Sequence, residues 1–330
     1  MPTKDLWSLA IERGASDIHV LTGHVPMLRV DGKLEAAGPK PLAVAEVKQL
    51  MLEFVTEADY KKLLEMGDID CSHEVSTGER LRINCHLVRG QPAFAARLIP
   101  SEAPTVEEIK LPAVVMDICR QDEGLVLVTG PTGSGKTTTL AAIINQINKE
   151  NAVRIITLED PIEFLYESDK ALISQRELGT DFPSFPEGLK HVLRQDPDIV
   201  MVGEMRDLES IALALTLAET GHLVLATLHT PNSFQTIDRI VDVFPSHQQS
   251  QIRLQLSLSL KAVIAQQLVP AKGGSRIANR EILVNNAAVA NIIREQRLAE
   301  LPSVIQTNAD QGMVTFEKDY KRLQKEGLVD

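Results

Sequence analysis

The 330-residue chain carries 34 basic and 45 acidic residues, and its formal charge of −11 opposes broad binding along the phosphate backbone of DNA or RNA. Its 4% aromatic content leaves few platforms for stacking single strands, while 44% hydrophobic content is enough for one large or two ordinary cores. No apolar run approaches the roughly 18 residues of a membrane helix, MPTKDLWSLAIERGASD lacks the apolar core of a secretory signal, and Cys71, Cys85 and Cys119 suit neither a disulfide framework nor a zinc knuckle. A soluble cytoplasmic protein is expected.

The chain divides into a strand-rich part over 1–100, a proline-bearing linker over 101–113 and an alternating α/β part over 114–330. In the first part Ile18–Leu21 reads as a short strand and Met27–Leu34 as a hairpin turning at Asp31-Gly32. Leu50–Met66 has a helical period, and Glu79–Val88 and Gln91–Ile99 alternate as two strands around Arg89-Gly90. In the second part strands are expected at Leu125–Thr129, Val153–Leu158, Ile199–Val202 and Leu223–Thr227. Helices are expected at Thr137–Asn148, Phe185–Gln195 and Asp207–Thr220, the pattern of a mostly parallel sheet with crossover helices. Ser246-x-x-Gln249 reads as a capping box opening a long apolar helix to about Leu268. A strand at Ile277–Val284 and helices near Val289–Arg297 and Thr315–Glu326 follow.

The most specific motif is Gly130-Pro131-Thr132-Gly133-Ser134-Gly135-Lys136-Thr137, which fits G-x-x-x-x-G-K-[ST] between a strand and a helix. Its glycines let backbone N–H groups curl around phosphates, Lys136 reaches the β- and γ-phosphates, and the Thr137 hydroxyl ligates Mg²⁺. Thr138, next on the helix, completes the expected nucleotide-binding set. Unpaired N–H groups and the helix dipole make such a helix start an anion site. ATP with Mg²⁺ is therefore the expected cofactor.

Ligands in open parallel sheets lie beyond the carboxyl ends of the strands, so acids there are the candidates for positioning the attacking water. Glu204 follows Ile199–Val202, and Glu159-Asp160-Pro161-Ile162-Glu163 follows Val153–Leu158. The commonest P-loop pattern ends its apolar strand in an Asp that holds Mg²⁺, whereas Gly203 stands in that place. Metal contact then runs through water or the Glu159–Glu163 cluster. His229 lies just past the carboxyl end of the strand Leu223–Thr227, near where a γ-phosphate would be, while His222 starts it, roughly 20 Å away on a straight strand. His222 reads more readily as structural.

Together GASDIHV, the P-loop, TLEDPIEF, LRQDPDIVMVGEMRD and ETGHLVLATLHTPNSFQTIDRIVDVFP resemble the type II/type IV secretion ATPase superfamily, in order and nearly end to end. The resemblance is strongest to its pilus-retraction subgroup. It implies an α/β fold with a smaller α+β PAS-like N-terminal domain and a RecA-like P-loop ATPase domain. It also implies a homo-hexameric ring at the cytoplasmic face of the inner membrane, attached through partners only, with the pilus platform protein as partner and no nucleic acid. In the family's terms Glu204 is the Walker B carboxylate, Glu163 the catalytic glutamate of the Asp box, and His222 and His229 the His-box pair; Thr137, Glu204 and Glu163 are the metal-side residues. The expected function is an ATP-hydrolysing motor for pilus retraction and twitching motility. A short chain without a Cys-x-x-Cys pair favours retraction over assembly. One departure is Ala290, which replaces the arginine of the subgroup's C-terminal motif in Ala288–Ile293, so an accessory retraction paralogue and an assembly or type II secretion ATPase stay as alternatives. A RecA-like DNA translocase and a non-hydrolysing nucleotide-binding ring are the readings from other classes.

The hairpin around Arg89-Gly90 fixes a register in which Leu81, Ile83 and Cys85 face Leu98, Ala96 and Phe94 on an apolar face. The other face sets Arg82 opposite Arg97. Like charges directly opposite are unfavourable, so an anion is expected beside them. A neighbouring subunit's γ-phosphate would make both arginines transition-state fingers.

Overall fold

The computed structural model describes residues 3–30, 32–75, 79–99 and 103–330. The chain forms two compact units, 1–102 and 103–330.

The first unit opens with helix α1 (Thr3–Glu12), then strands β1 (Asp17–Leu21), β2 (Met27–Val30) and β3 (Lys33–Ala36). Gly32 supplies the positive φ of the β2–β3 turn; Asp31, the other half of that expected turn, lies outside the described residues. Leu50–Met66 is not one helix but the end of α2 (Val44–Met51) and all of α3 (Glu57–Met66). The Thr56 hydroxyl accepts from the Asp59 N–H and starts the second helix afresh. Strands β4 (Asp68–Glu74), β5 (Arg80–Val88) and β6 (Gln91–Ile99) complete an antiparallel sheet of order β3-β2-β1-β6-β5-β4. Arg89 and Gly90 both have positive φ, as a two-residue hairpin turn requires, and the register is the expected one, with Val88 opposite Gln91 and Arg82 opposite Arg97. Ile18, Ile83, Cys85 and Phe94 are buried with Trp7, Met51 and Leu63 of the helices. Helices therefore cover one face of this sheet.

The second unit begins earlier than the strand pattern suggests, because residues 103–112, expected as linker, belong to it. The buried Arg280 donates to the carbonyls of Ile109 (3.2 Å) and Lys110 (3.3 Å) and ties that segment down. In order follow α4 (Ala113–Cys119), β7 (Gly124–Thr129), α5 (Lys136–Glu150), β8 (Arg154–Glu159), β9 (Leu172–Glu177), α6 (Phe185–Val192), β10 (Ile199–Val202), α7 (Leu208–Glu219) and β11 (Leu223–Leu228). Then come α8 (Ser233–Asp242), α9 (Ser246–Ser259), β12 (Leu260–Pro270), β13 (Arg276–Val284), α10 (Ala287–Arg294), α11 (Leu301–Thr307) and α12 (Phe316–Lys325). The sheet order is β13-β12-β7-β11-β10-β8-β9, and only the β12–β13 pair is antiparallel.

Both faces are covered. Leu125 and Leu127 of β7 pack with Leu189, Leu215 and Ile240 of α6, α7 and α8, while Val126 and Val128 pack with Ile143 and Ile144 of α5 and Val115 of α4. Burial on both faces is why these strands read as unbroken apolar runs. The expected helix Ser246–Leu268 is a correction: it stops at Ser259, and Leu260–Pro270 is a strand between β7 and β13. The capping box does not form either. Pro245 is the N-cap, and Gln249 donates instead to the Phe244 carbonyl at 3.1 Å.

Candidate nucleotide site

Four neighbouring parallel strands, β7, β11, β10 and β8, deliver the site residues at their carboxyl ends. Beyond β7 the loop Gly130–Gly135 turns into α5. Gly130, Gly133 and Gly135 all have positive φ, and a Cβ at Gly130 would stand 2.2 Å from the Gln266 carbonyl oxygen. Backbone conformation and close approach thus both require glycine there. Pro131, Thr132 and Gly133 are exposed at the rim, and Thr137 and Thr138 are half-buried.

Lys136 is 8% exposed, and its ammonium donates to the carbonyls of Gly130 (2.9 Å) and Pro131 (3.1 Å). Burial lowers its pKa, and the nearby Glu204 and Glu163 carboxylates act in the opposite sense. The Ser134 hydroxyl is buried without a hydrogen-bond partner. An orphan donor and a buried ammonium inside a curl of glycine amides fit the phosphates of a nucleotide. Among the described residues no three His, Cys, Asp or Glu side chains converge on one point. A Mg²⁺ ion is ordinarily held through one or two carboxylates, waters and the substrate's phosphates; the Thr137 hydroxyl and Glu204 carboxylate are donors of that kind.

Glu204 lies two residues past β10, its side chain 12% exposed. His229 Nε2 stands 3.2 Å from Glu204 Oε2, and Arg206 pairs with Oε1. Gly203 explains itself sterically: its N–H donates to the Leu158 carbonyl at 2.7 Å, and a Cβ would stand 3.1 Å from that oxygen. The end of β10 lies close against β8, so a side chain there would need the Leu158 carbonyl to give way by a few tenths of an ångström.

Glu163 sits in the loop after β8. Glu159, the last residue of β8, is 3% exposed and accepts from Thr157 Oγ1 (2.7 Å), Gln175 Nε2 (3.1 Å) and the backbone N–H of Glu163. Burial pushes its carboxyl up to about 7 despite those bonds. Gln175 also donates to the Phe164 carbonyl (2.7 Å) and accepts from the Tyr166 N–H (3.0 Å), so β9 holds the loop that carries Glu163.

The structure does not bring His222 to this group. Its carbonyl accepts from Gly124 N–H at the amino ends of β11 and β7, and Nδ1 lies 3.1 Å from the Leu217 carbonyl at the end of α7. Arg82 and Arg97 lie in the first unit and pair across β5 and β6. The anion expected near them is partly internal: Arg97 Nε donates to Asp17 Oδ1 at 2.8 Å.

Sequence reasoning missed Arg206, whose signal was its place two residues after Glu204. It also missed Gln175 and Gln266, which stand on strands it had not found. A cavity of about 350 Å³ opens beside α5, lined among others by Gly135, Thr138, Leu268 and Arg276.

A mostly parallel α/β sheet whose first strand runs through a P-loop into a helix, with a carboxylate–histidine pair on neighbouring strands, defines a P-loop nucleotide-binding protein. The family model of the type II/IV secretion system protein matches residues 3–312, and the chain belongs to that family. It is 44% identical over 329 residues to the type IV pilus "retractation" ATPase PilT of Pseudomonas aeruginosa, covering all of this chain and 96% of that one. A twitching motility protein of Neisseria gonorrhoeae is 44% identical over 305 residues, 92% of this chain and 82% of its own. The crystal structure of the pilus retraction motor PilT with bound ADP superposes with a TM-score of 0.94 at 42% identity, covering all of this chain and 95% of that one.

Proposed function

We propose that this chain is the ATP-hydrolysing motor of type IV pilus retraction. The observation that carries the reading is the end-to-end likeness, at TM-score 0.94, to a retraction motor that binds ADP. The chain is an ATPase, and its chemistry follows from the site. Loop amides and Lys136 hold the phosphates, Thr137 contacts Mg²⁺, Glu204 and Glu163 position and deprotonate the attacking water, and His229 holds Glu204. The cavity beside Thr138 takes the nucleoside. The working form is a hexamer in which Arg82 and Arg97 act on a neighbour's nucleotide. It docks on the platform protein at the cytoplasmic face of the inner membrane; no helix of the described residues is long and apolar enough to cross a membrane.

Deletion followed by counting surface pili tests the direction of force. Retraction predicts many immobile pili, and few pili would show an assembly role. Purified protein with Lys136→Ala tests the site, since losing a phosphate-paired charge must weaken ATP binding.

A further inference from the structure

Gln266 is a fully buried polar side chain on β12, a strand that belongs to no recognised nucleotide motif. β12 runs parallel to β7 with Ala265 opposite Thr129, so Gln266 lies beside Gly130, the first residue of the P-loop. Its Nε2 donates to the Ser134 carbonyl at 2.7 Å, and its Oε1 accepts from Thr139 Oγ1 at 2.9 Å. One side chain therefore bridges the end of the loop and the first turn of α5.

We infer that Gln266 is a positioning residue for phosphate binding, acting through the Ser134–Gly135 peptide. In a planar trans peptide the C=O and N–H point in opposite directions. Holding the Ser134 carbonyl toward β12 aims the Gly135 N–H the other way, into the concave side of the loop where phosphate oxygens sit. Gly135 is in the left-handed region at φ +84°, a conformation that is easily lost unless its neighbours hold it. A Cβ there would stand 3.3 Å from Gln266 Nε2, so the amide packs directly under the peptide it orients. The strut is itself fixed, because Gln266 pairs with Arg280 on β13 and Arg280 is tied to the Ile109 and Lys110 carbonyls.

The inference rests on the nucleotide-binding reading, and the test separates the two. ADP with Mg²⁺ is titrated into wild type, Gln266→Leu, Gln266→Glu and Thr139→Val, and the melting temperature of each is measured without nucleotide. Gln266→Glu keeps the volume and the Thr139 bond but turns an acceptor on the Ser134 carbonyl; Thr139→Val removes only the other bond. Positioning predicts that the dissociation constant rises about tenfold or more in both Gln266 variants and stays within about twofold in Thr139→Val, with KM for ATP following it. Wild-type affinity in folded Gln266→Glu would overturn the inference, as would equal weakening by Thr139→Val. Should Gln266→Leu fail to fold, Gln266→Glu decides. A wild type that does not bind ADP would instead overturn the nucleotide-binding reading itself.

Discussion

His229 Nε2 lies 3.2 Å from Glu204 Oε2 while Arg206 pairs with the other oxygen of the same carboxylate, so Glu204 is held from both sides at the ends of β10 and β11. A carboxylate that accepts two such bonds is fixed in direction as well as in charge. Glu204→Gln keeps the shape and loses the base. It should bind ATP normally while turnover falls roughly a hundredfold or more. His229→Ala should cost less, since Arg206 still holds one oxygen. Phosphate release by the purified variants checks both, and near-normal release by Glu204→Gln would remove Glu204 from the mechanism.

The glycine at 203 occupies a tight place beside β8. Its N–H bonds the Leu158 carbonyl, and an added methyl would meet that oxygen at 3.1 Å at the carboxyl end of β10. Gly203→Ala should therefore destabilise the second unit by about 1–3 kcal/mol and lower turnover by displacing Glu204. An unchanged urea midpoint would show that β8 yields more easily than its hydrogen bonding suggests.

Glu159 makes stability depend on pH in a definite direction. Burial raises its carboxyl to about 7 from an ordinary 4.5. The folded state thus prefers the neutral form, and the stability this confers is fully present below pH 4.5. It is lost as pH rises through about 7, where the folded carboxyl ionises too. The swing is on the order of 3 kcal/mol. In nucleotide-free protein, the stability difference between wild type and Glu159→Gln should move in the variant's favour from pH 5 to pH 8. A difference that stays flat over that range would show that Glu159 is not held neutral by burial.

The P-loop and the four strands β7, β8, β10 and β11 were legible because each strand is a nearly unbroken apolar run buried on both faces. The β5–β6 register was legible because a two-residue turn leaves no freedom in the pairing. β12 was not. Ile252, Leu256 and Leu260 carry a helical period straight into LKAVIAQQLVP, and a strand buried on both faces has no alternation to oppose it. β9 was missed for the opposite reason. LISQRE is polar because Gln175 and Glu177 bond the Glu163 loop, with Glu177 Oε2 accepting from the Ile162 N–H, so the residues that hold the site erase the strand's pattern. The prolines near 100–112 suggested a free linker because the anchor, Arg280, lies about 170 residues away.

In the first unit, β2, β1, β6, β5 and β4 line up Arg29, Asp17, Arg97, Arg82 and Ser72 in one row across the sheet. Asp17 takes the Arg97 bond, which relieves part of the like-charge repulsion. Its own desolvation is outweighed by bonds from Ser16 and Arg97, so its carboxyl sits below the usual range. The stability it adds is present above about pH 4 and lost as pH falls further. With Arg97 69% exposed, that stability is below about 1 kcal/mol. Arg97 is therefore oriented more than it is consumed, and Arg82, exposed and facing Ser72 on its other side, has no carboxylate opposite it in the row. If both serve a neighbour's nucleotide, Arg82→Ala and Arg97→Ala should fold and bind ATP normally yet lose most turnover. Mixing Arg97→Ala with Lys136→Ala protein should then restore some activity, because mixed rings contain interfaces whose two halves are both intact. No rescue over a range of ratios, with mixed rings confirmed by mass, would place Arg97 outside any neighbour's site. Asp17→Asn distinguishes orientation from mere charge balance: it should lower turnover in wild-type background and change nothing in Arg97→Ala.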